Sequence, residues 1–168
     1  RRHDGLVDEI EAAEESAGSL AETVDALRAA DAPDSERWFD AKVQARVLDL
    51  VVADLRAEAD DLRAWADRDG ADFPATVDDR LDEVEAEVAT AAEALADGPG
   101  LDGEFGERLD ALDAALSEVE PPVAWGLVDE TVAEARPSAA AGESLTDRTA
   151  SDDRKPAGDG RTAGGDGA

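Results

Sequence analysis

Leu6, Ile10, Ala13, Ala17, Leu20, Val24 and Leu27 are separated by 4, 3, 4, 3, 4 and 3 residues. An α-helix turns once per about 3.6 residues, so this alternation stacks all seven side chains on one stripe; a pleated strand would scatter them over both faces. A chain written this way must hide a helical stripe against another helix. Asp4 is placed to cap the segment, and Pro33 within "DAPDS" ends it, because proline forces the residue before it out of helical geometry. Gly18 offers a break, with Ser19 and Glu22 able to form a capping box beyond it. The stripe keeps its phase across Gly18, so one continuous helix is expected.

The same rhythm recurs four more times. A second helix should open after Asp34 or Ser35 and run to Asp69, with Gly70 as its stop. Its stripe is Trp38, Ala41, Ala45, Leu48, Val52, Leu55, Ala59, Leu62 and Ala66, while Val43, Val47, Leu50 and Val51 point elsewhere. A helix apolar on several sides is a buried one, so this helix is expected at the centre. Thr76, with Asp79 three residues on, should cap a third helix carrying Val77, Leu81, Val84, Val88, Ala91 and Leu95. "DGPGLDG" reads as a turn, followed by a fourth helix with Phe105, Leu109, Leu112, Leu116 and Val119. Pro122 suits the first turn of a short fifth helix with Ala124, Leu127, Val128, Thr131 and Ala135.

With no strand pattern in view, the expected fold is all-α: an antiparallel helical bundle or coiled-coil hairpin of four long helices plus a short fifth. The third and fourth helices are expected end to end along the second, with the fifth closing one end. Leu48, Val52, Leu55, Leu62, Leu81, Val84 and Val88 should form core. The expected division is an acidic helical bundle over 1–136 and a Gly/Ala/Asp-rich tail over 137–168. From Ser138 onward that tail has Leu145 as its one large apolar residue, too little to offset chain entropy, so it is expected to be disordered.

Charge comes next. Acidic residues number 44 against 16 basic ones, a net charge of -28, and the lysines are Lys42 and Lys155 alone. Six acids and four bases fall in the tail, so 38 acids and 12 bases, net -26, belong to residues 1–136. This composition resembles that of proteins from salt-loving archaea. A chain so charged repels itself at low ionic strength, whereas the Debye length is only about 3 Å in molar salt. The fold is therefore expected to need salt and to reside in a halophile's cytoplasm. Acidity also argues against nucleic acid, which is bound by stripes of Lys and Arg.

Cysteine is absent, which removes disulfides, thiolate metal sites and a thiol nucleophile. No apolar run approaches the roughly 18 residues of a membrane span, and no signal peptide is visible. Methionine is absent even at the first position, so the chain is expected to be trimmed or part of something longer; Arg1 and Arg2 would suit the flank of a preceding membrane segment.

Trp38 and Phe39 are the one adjacent aromatic pair, and they stand beside Arg37, Lys42 and Arg46. Trp38 lies on the stripe, and Lys42, Arg56 and Arg63 share one flanking heptad position, an arrangement that fixes register between helices. The functional counterpart is a partner-binding patch of Trp38, Phe39, Lys42 and Arg46. Trp65 and Trp125 read as end caps. His3, the single histidine, sits at a terminus and cannot supply the Glu-x-x-His pairs of a di-iron bundle. "DRDGADF" resembles a calcium loop poorly, since aligning Gly70 with the loop glycine puts Trp65 in the first ligand position and Thr76 in the twelfth. "DGPGLDGEFGE" lacks the lysine of a phosphate loop. Serines and threonines have no base beside them. The expectation is a non-enzymatic interaction or scaffolding module, with no cofactor, metal or small-molecule substrate, that binds a protein partner or itself. The alternative is the soluble domain of a membrane-anchored or signalling protein.

Overall fold

The computed structural model describes residues 2–136, with side chains from Asp4 onward; the expected tail lies outside the described residues. Five helices account for all regular structure among them: α1 (Arg2–Ala29), α2 (Ser35–Asp69), α3 (Thr76–Ala96), α4 (Gly103–Ser117) and α5 (Trp125–Ala135). The fold is an all-helical bundle. None of the described helices is long and apolar enough to cross a membrane.

Helix α1 runs unbroken through Gly18, because its stripe from Leu6 to Leu27 is buried along the whole length. Asp34 caps α2, its side chain accepting the Arg37 N–H at 3.2 Å. At the other end Gly70 takes the left-handed conformation (φ 68°, ψ 28°) that L side chains avoid, and the helix stops there. The expected Thr76 cap is not formed. Thr76 is the first helical residue, Ala75 precedes it without a side-chain cap, and the Val77 N–H bonds to the Pro74 carbonyl instead, at 3.2 Å.

Helices α1, α2 and α3 pack mutually around one core. That core holds the α1 stripe, Trp38, Ala41, Ala45, Leu48, Val52, Leu55 and Ala59 of α2, and Val77, Leu81, Val84, Val88, Ala91 and Leu95 of α3. Of the expected core residues only Leu62 is half-buried, packed against the margin. Arginines fix the register. Arg56 of α2 bonds to Asp82 at 2.6 Å and also to Glu85, Arg63 grips Asp78 through both oxygens at 2.6 and 2.7 Å, and Arg80 grips Glu14 of α1 at 2.7 Å through each of two bonds.

Helix α4 departs from the expected arrangement. It does not continue α3 along the α2 stripe; the chain reverses between Gly98 and Gly103, and α4 lies against a different face of α2, with α5 folded back on it. Phe105 stands beside Phe39 (ring centroids 5.6 Å apart) and Asp113 beside Arg46 (2.7 Å), so α4 runs parallel to α2. The cause is the apolar surface α2 carries off its main stripe: Phe39 and Val43 join Leu112, Leu116, Val123 and Val128 in a second core, with Val47 and Leu50 against it. The molecule is thus a three-helix bundle with a helical hairpin on the back of its central helix.

Pro122 does not open α5. The Pro121–Pro122 bond is cis, and helix begins only at Trp125. The intervening chain is held by Asp54 of α2, whose two carboxylate oxygens accept the Val123 N–H at 2.9 Å and the Trp125 indole N–H at 3.0 Å. At the far end of α5, Arg108 donates to the Ala135 and Arg136 carbonyls (3.3 and 3.2 Å), a cation at the negative end of a helix.

Candidate interaction groove

The last turns of α2 present Leu62 and Ala66 to the core, and Trp65, one residue off that stripe, faces outward. Its side chain is 56% exposed, against 2% for Trp38. Two connecting segments frame it. Past Gly70 the chain folds back through Phe73 and Pro74, fastened by the Ala71 N–H to the Ala66 carbonyl (2.9 Å) and by the Arg63 guanidinium stacked 4.9 Å from the centre of the Phe73 ring. The cis Pro121–Pro122 link arrives from the α4–α5 hairpin. Between them lies an open groove of about 1600 Å³, with Leu62, Trp65 and Phe73 in its apolar lining. Its ionisable lining is Glu58, Asp61, Asp72 and Arg68, and Arg68 is folded onto its own helix, with Nε donating to the Ala64 carbonyl at 3.1 Å.

The expected end-cap role of Trp65 is therefore corrected, since the ring covers no helix end and stands in the open. Trp125 is half-buried and reaches across to Asp54. The patch of Trp38, Phe39, Lys42 and Arg46 does not form one surface. Trp38 is in the three-helix core and Phe39, fully buried, in the second core, because successive helical positions point about 100° apart. Lys42 is half-buried between them, and Arg46 is bonded to Asp113. The sequence signal for the groove was a tryptophan just off the stripe; nothing local marks that Pro121 and Pro122 arrive beside it.

Elsewhere the polar groups are occupied with structure. Ser16, Thr23, Thr90 and Thr131 each donate to the carbonyl four residues back, in their own helices. Asp67 and Asp69 close α2 as helical residues, and no group of three or more metal-ligating side chains occurs among the described residues. Two carboxyls depart from the ordinary range, in opposite directions. The hydrogen bonds from Arg80 hold Glu14 low, against the opposing effect of burial, while burial pushes Asp49 up, with nearby Arg46 opposing and Glu85 reinforcing. Glu14 belongs to the seam between α1 and α3, while Asp49, half exposed, stands one turn from Arg46 on α2.

No protein-family model matches the chain, and neither the curated proteins nor the solved structures contain a significant match.

Proposed function

We propose that this chain is a non-enzymatic interaction or scaffolding module of a salt-loving archaeon's cytoplasm, with the Trp65 groove as its docking surface. The observation that carries the reading is the exposure of Trp65 in the lining of that groove. A tryptophan offers more apolar area than any other side chain, and exposed ones at the centre of a concave, framed surface are what protein partners use as anchors. The rest of the molecule suits a scaffold. Two cores and a set of cross-helix arginine pairs hold the groove walls in fixed relation, so a guest finds a pre-shaped surface.

Site-directed photocrosslinking in cells of a salt-loving host tests the proposal. A photoreactive residue at Ala64, an exposed groove position, should give a discrete protein adduct that is lost with Trp65→Glu. The same probe at exposed Asp25 on α1 should not give it. An adduct that survives Trp65→Glu, or that forms equally from position 25, would refute the groove as the docking surface.

A further inference from the structure

We infer that the guest of the Trp65 groove is a cationic segment of a partner protein, anchored by an arginine laid on the Trp65 indole and answered by the carboxylates of Asp61 and Asp72. The inference rests on the reading of the groove as a docking surface, and independent features of the lining carry it.

The first is the hydrogen-bonding character of the walls. Asp61 and Asp72 accept only, and Pro74, Pro121 and Pro122 have no backbone N–H to give. Part of the nearby donor set is used locally: Arg68 Nε on the Ala64 carbonyl, and the Gly70 and Ala71 N–H groups on carbonyls of the last turn of α2. Three carboxylates against one guanidinium leave the lining richer in acceptors than in donors, which favours a guest that brings donors.

The second is the helix itself. The groove stands at the C-terminal end of α2, 35 residues long, where the aligned peptide dipoles leave a partial negative charge. This favours a cation irrespective of the side chains.

The third is the exposed indole, whose electron-rich face attracts a cation; a planar guanidinium stacks on it better than an ammonium does. The molecule already uses this device at the groove, where Arg63 covers the ring of Phe73, a lining residue, at 4.9 Å. A second copy of the chain is a poor guest by the same reasoning. It would bring the same acidic lining and a net charge of -26 over residues 1–136, and Arg46, Arg56, Arg63, Arg80 and Arg108 are committed to its own carboxylates.

The experiment follows the indole N–H signals of Trp38, Trp65 and Trp125 by NMR in the full chain at molar KCl, with the Trp65 signal assigned by its loss in Trp65→Phe. The probes are short alanine–proline peptides differing at one central residue: arginine, glutamine, leucine or glutamate. The arginine peptide should shift the Trp65 signal saturably and leave Trp38 in place, and the glutamate peptide should shift nothing. Asp61→Asn with Asp72→Asn should weaken the arginine peptide about two- to threefold at this salt, with an unmoved Trp38 signal reporting an intact bundle. Equal response to the glutamine or leucine peptide overturns the cationic guest and leaves the docking surface itself standing, since the crosslinking result decides that separately. Absence of response to every peptide also overturns this inference, as does a Trp65 signal that moves with protein concentration alone, which would make the guest a second copy.

Discussion

Gly98 shows how much a single position carries. A Cβ built there would lie 2.3 and 2.4 Å from two carbons of the Trp38 ring, closer than any side chain tolerates. The ring cannot retreat, because it is 2% exposed and closes the end of the three-helix core where α3 meets the start of α2. Gly98→Ala should therefore cost about 1–3 kcal/mol, the usual range for overpacking. Urea unfolding in molar KCl measures it, and the same substitution should cost less when made in a Trp38→Leu background; a neutral Gly98→Ala would contradict the packing described. Trp38 was legible in the sequence as a stripe residue. Phe39 was less so: Val43, Val47 and Leu50 mark a further apolar face of α2, but the residues that cover Phe39 on it, Phe105 and Leu112, lie more than 60 positions away and nothing within α2 names them.

At the scale of elements, the seams between helices are where pH should act. The folded Glu14 carboxyl is held below its ordinary range by Arg80, so its contribution is complete above the unfolded glutamate value of about 4.3 and is lost as pH falls through the lower, folded value. Asp49 runs the other way: with its folded value raised by burial, its charged form costs stability in full above that folded value, and the cost fades as pH falls from there to the unfolded aspartate value. Replacing Glu14 by glutamine isolates the first effect. Because both partners are about a third exposed (34% for Glu14, 31% for Arg80), the loss at neutral pH should be modest, about 0.5–1 kcal/mol, and smaller at an acid pH below the unfolded glutamate value. Urea midpoints of the two proteins at both pH values check this, and an unchanged difference would rule out the ion pair as its source. Helix existence was readable from spacing throughout, and Asp34 and Gly70 marked the ends of α2. The side of α2 on which α4 settles was not readable, since α2 carries two apolar faces and the glycine-rich turn permits either.

For the whole molecule the dominant quantity is the net charge of -26 over residues 1–136. Exposed carboxylates on α1, α3, α4 and α5 repel one another through water at low ionic strength, and mobile cations relieve this as the Debye length contracts. The thermal midpoint should accordingly rise by about 10 °C or more between 0.1 M and 3 M KCl; identical melts would remove the link drawn between composition and salt. Screening weakens the arginine pairs as well, and the prediction holds because repulsive pairs outnumber attractive ones. That balance is uneven in space. Helix α2 has nine acids and six bases, half of the 12 bases in residues 1–136, while the surrounding segments hold the remaining 29 acids with only six bases. The central helix, though net negative itself, carries a spine of five guanidinium groups and one ammonium that dilution cannot wash away. As brine is withdrawn, the segments that share least in that spine should loosen first, with α5 ahead of α3, so that desalting peels the molecule from its rim before its axis gives.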